Sequence, residues 1–186
     1  MTVPNLITAI RIILAPVFII YLINDQFLSA LVVFILCAIS DCLDGMLARL
    51  LKQKSKLGSY LDPLADKSLL VAAFITLSVR GILPPWLTVM VIARDILILL
   101  GIIVLFLNKL DLKIKPSIVS KITTCFQFIT VVAVLARSHL PFGPDAYSYI
   151  FYITALFTIS SGLHYMHYGF RMMGEGALER KSQETK

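Results

Sequence analysis

The sequence predicts an all-α integral membrane protein with six transmembrane helices behind a short N-terminal interfacial segment. Three observations predict it. The 186 residues are 58% hydrophobic, against about 45–50% for a soluble domain. The apolar residues gather in six stretches, 6–24, 27–51, 60–80, 86–107, 117–137 and 147–171, each near the roughly 20 residues a bilayer requires. Basic residues then fall in alternate loops, as they do when a chain threads a membrane back and forth.

Taken in order, Thr2-Val-Pro-Asn-Leu-Ile-Thr8 reads as an interfacial stretch entering the first helix, with Thr2 as a cap and Pro4 in the first turn. Asn5, Thr8 and Arg11 recur every three residues and share roughly one face. Pro16 lies inside the first span and can kink it. Leu83-Pro-Pro-Trp86 separates spans three and four, and Leu140-Pro-Phe-Gly-Pro144 separates five and six. Trp86, Tyr147 and Tyr149 fall near span ends, where amphipathic rings settle. Residues 1–171 form one transmembrane domain, and 172–186 a polar cytoplasmic tail, with disorder expected from Gly174 onward. No cleavable signal or Arg-rich transit segment precedes the first apolar run, so the expected location is the inner (plasma) membrane of a prokaryote. A mitochondrial protein stripped of its presequence would read the same way.

The formal net charge is +6, and its placement is informative. Lys52, Lys54 and Lys56 follow span two, Lys109, Lys113 and Lys115 follow span four, and Arg171, Arg180, Lys181 and Lys186 follow span six. The opposite loops hold Asp25, Arg80, and Arg137 with Asp145. This asymmetry puts the lysine-rich loops and both termini in the cytoplasm. The basic loops are short and lack an aromatic platform, which argues against nucleic acid and for anionic lipid headgroups.

Four aspartates lie among these spans. Asp41 and Asp44 are one turn apart at the end of span two, and Asp62 and Asp66 one turn apart on span three. Carboxylates at membrane depth are costly, and four together repel unless cations sit between them. A short basic loop joins the two spans, so they are antiparallel neighbours, their aspartate faces can meet, and the site opens toward the cytoplasm. Oxygen-only ligands of this kind favour Mg²⁺, Mn²⁺ or Ca²⁺. Gly45, Ala48 and Gly58 leave room beside them for a ligand, and Arg49 can grip phosphate oxygens as a fork. The rival readings are a structural polar network, or a proton or cation path in a non-enzymatic transporter.

The run D-x2-D-G-x2-A-R-x8-G-x3-D-x3-D is filled at every fixed position by Asp41, Asp44, Gly45, Ala48, Arg49, Gly58, Asp62 and Asp66. It resembles the signature of the CDP-alcohol phosphotransferase family, whose six-helix architecture fits the chain to about residue 171. The resemblance implies an enzyme that transfers the phosphatidyl group of CDP-diacylglycerol to an alcohol and releases CMP. It implies that Asp41, Asp44 and Asp62, completed by Asp66, hold two Mg²⁺ or Mn²⁺ ions, and that Asp66 is also the general base. Gly45, Ala48 and Gly58 would line the cytidine site, and Arg49 would contact the donor phosphate. Asn5 and Thr8 match the P-N-x-x-T/S-x-x-R start of lipid-synthesising members and would help seat the nucleotide. Members often form homodimers, so a homodimer is expected too.

Arg94 on span four and Lys121 on span five are further charges at membrane depth, with Ser117 one turn before Lys121. Together they suit an acceptor that carries its own phosphate; choline or ethanolamine would not need them. The alternative is that Arg94 pairs with an aspartate and Lys121 reaches the interface. Two acceptors fit, phosphatidylglycerol and glycerol 3-phosphate. Ile92-Ala-Arg-Asp95, Lys115-Pro-Ser-Ile-Val-Ser-Lys121 with Thr124, and Tyr165-Met-His-Tyr-Gly169 are more similar to the cardiolipin synthases of this family than to its phosphatidylglycerophosphate synthases. The paired HxKxxxxD motifs of the other cardiolipin synthase lineage do not occur. His164 and His167 form an HxxH that reads as an interfacial polar cluster with Tyr165 and Tyr168 rather than a metal pair. Cys37, Cys42 and Cys125 read as small buried hydrophobes, with no pairing that suggests zinc or disulfides.

Overall fold

The structure is a computed structural model. It describes the backbone of residues 14–50, 58–107, 118–140 and 143–184, and the side chains of 14–40, 67–101, 103, 118–140, 143 and 145–169. Among the described residues there are six helices and no strand. They are α1 (Leu14–Ile23), then α2 (Phe27–Leu50), α3 (Gly58–Val79), α4 (Pro85–Leu107), α5 (Ile118–Leu135) and α6 (Pro144–Glu184). Both proline-marked turns end as expected, with Pro85 and Pro144 at the first helical position. There the fixed φ suits the helix and the missing N–H would have had no partner.

The chain divides into two compact units, 1–85 with 128–147, and 86–127 with 148–186. In the first, α1 buries Phe18 and Leu22, α2 buries Ala30, Phe34 and Cys37, and α3 buries Leu69, Ala73, Phe74 and Leu77. These are i, i+4 and i, i+3/i+4 stripes, the apolar faces of packed helices. Phe34 is central: its ring lies 5.5 Å from Phe18 and stacks on Phe128 at 4.9 Å.

Two helix ends in this unit close in the same way. After α1, Gln26 N–H donates to Tyr21 O and Asp25 N–H to Leu22 O, with Asp25 at φ 58°. After α3, Ile82 N–H donates to Leu77 O and Gly81 N–H to Ser78 O, with Gly81 at φ 68°. Each is a Schellman cap, in which one left-handed residue lets the chain turn back and satisfy carbonyls the helix leaves open. The caps also meet. Arg80 forms an ion pair with the Asp25 carboxylate and donates from Nη1 to Ile23 O at 2.7 Å. The start of α2 and the end of α3 are therefore tied together, so the helices run antiparallel and their aspartate-bearing ends lie away from this tie.

The second unit buries polar side chains beside Leu87, Val91 and Ala155 and leaves many apolar ones exposed. On α6, Thr154, Thr158 and Ser161 are buried while Tyr152, Leu156 and Leu163 are each more than 60% exposed. On α4, Thr88 and Arg94 are buried while Val89, Ile96, Leu99 and Leu100 are exposed. Hydroxyls join the helices. Thr123 Oγ1 reaches both Val119 O and Phe157 O at 2.9 Å, its single proton serving one at a time. Gln127 Nε2 donates to Thr158 Oγ1 at 3.5 Å, and Thr158 Oγ1 to Thr154 O at 2.7 Å. Phe126 stacks on Phe157 at 4.4 Å and Trp86 on Tyr152 at 5.8 Å. In lipid, apolar contact alone gives helices little reason to associate, and such hydrogen bonds and close packing hold them together.

Among the described residues, Ile118–Leu135 and Asp145–Gly169 are long and apolar enough to cross a membrane. Two sequence expectations need correction. The tail read as disordered is helical to Glu184, because Ala177, Leu178, Glu179, Arg180, Lys181 and Gln183 all favour helix and extend one already nucleated. Cys125, read as buried, is exposed on α5, on a face where an apolar side chain has no need of a protein neighbour. Cys37 is buried as expected.

A Cβ at Gly81 would meet nothing within 4 Å, so Gly81→Ala costs only its backbone conformation. It should lower the unfolding free energy by about 1 kcal/mol. Gly101→Ala, equally open but inside α4, should raise stability by roughly 0.5–1 kcal/mol. Thermal unfolding in one detergent compares them.

Candidate functional site

The aspartate motif spans the end of α2 and the start of α3. Asp41, Asp44, Gly45, Ala48 and Arg49 lie within α2, and Gly58 opens α3, with Asp62 and Asp66 in its first turns. The backbone thus holds each aspartate pair one helical turn apart, as the spacing requires. The positions of these side chains lie outside the described residues, as do Asn5, Thr8, Ser117 and Cys42. Four carboxylates, with no sulfur or imidazole among them, suit a hard divalent cation such as Mg²⁺ or Mn²⁺.

The second charged site, apart from Ser117, lies among the described residues. Arg94 sits on α4 with its side chain 3% exposed. Its Nη1 donates to Asp95 Oδ1 at 2.6 Å. Its Nη2 donates to Ser120 Oγ at 2.6 Å and Ser161 Oγ at 2.8 Å, and Nε to Ser161 Oγ at 3.2 Å. One guanidinium therefore joins α4, α5 and α6. Gly162, beside Ser161, faces the stem of Arg94: a Cβ there would lie 3.8 Å from Cγ. Lys121, the residue after Ser120, is exposed.

The sequence singled out Arg94 and Lys121, and the structure separates their situations. Arg94 pairs with an aspartate, as the alternative reading had it, and Lys121 projects outward. Sequence reasoning missed Asp95, Ser120 and Ser161. Asp95 and Ser120 lie in stretches whose resemblance was noted, but nothing marked them as partners of Arg94. Ser161 could have been suspected as a small polar residue beside glycine on an apolar helix, where such residues sit at interfaces. His164 lies edge-on to Tyr165, ring centres 6.4 Å apart, and both His164 and His167 are exposed. Among the described residues, no group of three or more His, Cys, Asp or Glu comes together.

Comparison with known proteins adds the family. The family model for CDP-alcohol phosphatidyltransferases matches residues 1–160. The chain belongs to the CDP-alcohol phosphatidyltransferase family. It is 36% identical over 185 residues to the cardiolipin synthase (CMP-forming) of Rattus norvegicus, an alignment that takes in 90% of this chain and 61% of the rat protein. The human protein of the same name is 35% identical over 90% of the chain and 62% of its own length. The CDP-diacylglycerol–glycerol-3-phosphate 3-phosphatidyltransferase of Aquifex aeolicus is 37% identical over 139 residues, 72% of this chain and 75% of that one. The chain thus spans about three-fifths of the length of the two mammalian relatives.

Ser161→Ala would strip Arg94 of an acceptor shared by two of its nitrogens. It should lower stability by about 1–3 kcal/mol. Ser160→Ala, at an exposed neighbouring position, should stay within about 0.5 kcal/mol. Denaturation of both variants in the same lipid–detergent mixture checks the difference.

Proposed function

We propose that this chain is a six-span membrane enzyme that transfers the phosphatidyl group of CDP-diacylglycerol to phosphatidylglycerol, giving cardiolipin and CMP. The observation that carries this reading is the complete eight-residue motif, set on two adjoining helices of a chain whose family is established. The cardiolipin synthase relatives, aligned over nine-tenths of the chain, favour phosphatidylglycerol as acceptor. Glycerol 3-phosphate is the second reading, supported by the Aquifex aeolicus relative. The buried hydroxyls and exposed apolar side chains of α4 and α6 support residence in lipid. The loop charges support a multi-pass inner-membrane protein with both termini in the cytoplasm.

In this proposal Asp41, Asp44, Asp62 and Asp66 hold two Mg²⁺ or Mn²⁺ ions, which when bound neutralise the diphosphate and the departing CMP. Asp66 takes the proton of the acceptor hydroxyl. The hydroxyl oxygen bonds to the β-phosphorus as the bond from that phosphorus to the CMP oxygen breaks. Arg49 orients the donor phosphate, and Gly45, Ala48 and Gly58 make space for cytidine, with Asn5 and Thr8 seating it. Arg94, Ser117 and Lys121 recognise the acceptor's phosphate. A second copy of the chain completes a homodimer.

The test is purified protein in detergent with CDP-diacylglycerol, Mg²⁺ or Mn²⁺, and each acceptor offered separately. Cardiolipin and CMP from phosphatidylglycerol are expected. Phosphatidylglycerophosphate alone would move the assignment to the smaller acceptor. Ion flux in liposomes without CMP release would replace the enzyme with a transporter. Asp66→Asn should lower turnover by about 10²- to 10⁴-fold while the protein still inserts; wild-type turnover would remove Asp66 as the base. Lys121→Ala should raise the acceptor KM about tenfold with the donor KM unchanged, and equal changes in both would dissociate Lys121 from the acceptor.

A further inference from the structure

Arg94 is held unequally on its two sides. Its Nε and Nη2 are fixed by the neutral hydroxyls of Ser120 and Ser161, from α5 and α6. Its Nη1 faces a charged oxygen, the carboxylate of Asp95, at 2.6 Å. Asp95 is the more open partner, its side chain 16% exposed against 3% for Arg94. Residues one apart on a helix do not face each other, so helix geometry does not impose this pair and a rotamer change in Asp95 can open it. A carboxylate and a phosphate compete for the same guanidinium geometry.

We propose that Asp95 stands in for the phosphate of the acceptor. It occupies Nη1 of Arg94 until an anionic acceptor displaces it, and so determines specificity. The inference rests on the proposed role of Arg94 in acceptor recognition. The serines keep the guanidinium in place and the exchange occurs on the Nη1 side alone. An acceptor with a phosphodiester or phosphomonoester replaces the interaction that Asp95 gives up. An uncharged or cationic alcohol does not, and leaves the pair closed. Lys121, exposed beside Ser120, adds attraction for the same anion. The closed pair reduces the fraction of protein ready to bind, and apparent affinity falls by that fraction.

The experiment compares wild type with Asp95→Asn, which keeps size and an acceptor oxygen but loses the competing charge. The acceptor KM should fall about three- to tenfold in the variant, with phosphatidylglycerol and glycerol 3-phosphate measured in separate arms and the donor KM unchanged. Glycerol 3-phosphate alone should also raise the melting temperature of the variant more than that of wild type. A purely structural ion pair predicts the reverse: an acceptor KM that is unchanged or higher, and no added stabilisation. That result overturns the proposal. If Asp95→Asn does not fold, Asp95→Ser carries the same expectation, and failure of both to fold makes the pair a structural necessity and overturns it too. If wild type releases CMP with neither acceptor, the proposed function fails, while the melting-temperature comparison still decides the exchange at Arg94.

Discussion

A guanidinium carries five N–H donors, and one whose side chain is only 3% exposed has to find acceptors within the protein. Arg94 finds them on three helices, in Asp95, Ser120 and Ser161. That requirement organises the second unit. α5 and α6 must both bring a hydroxyl to the same point, and the α5–α6 contact continues from there through Thr123 with Phe157 O and Gln127 with Thr158. These polar atoms lie inside beside Leu87, Val91 and Ala155, while many other apolar side chains of α4 and α6 face outward.

The first unit meets a different demand. It has to align α2 and α3, whose connection is rich in mutually repelling lysines. Its means lie at the opposite end. Two Schellman caps present Asp25 and Arg80 to each other, and Arg80 also covers the last carbonyl of α1. Arg80 and Asp25 are 29% and 63% exposed, so in water their ion pair would contribute little. Its value is directional, fixing which helix ends coincide. The buried rings of Phe18 and Phe34, with Phe128 stacked on Phe34, pack the helices together.

Much of this was legible in the sequence, for reasons that can be stated. The six helices among the described residues follow from six long apolar stretches, and two of their starts from Pro85 and Pro144, which act through local backbone geometry. The aspartate pairs follow from helical spacing. The pairing of Asp25 with Arg80 was not legible, since both were read only as loop charges and a contact between residues so far apart in sequence leaves no local pattern. The partners of Arg94 were hidden for the same reason: Ser120 and Ser161 become acceptors only once three helices are packed. The tail was misread because polarity was taken for disorder, although its residues favour helix and continue α6 without a break.

The stacking of Phe34 on Phe128 also bears on how the molecule is made. The first unit includes residues 128–147, so its aromatic cluster stays incomplete after α1, α2 and α3 have left the ribosome. Phe128 lies 49 residues beyond the end of α3, on the order of 2–10 s at ordinary elongation rates. During that interval the half of the protein bearing the aspartates has its caps and its ion pair but not its final aromatic partner. Phe34 of a nascent chain therefore waits for its stacking partner while α4 is being made, and a pause in translation there would lengthen that wait.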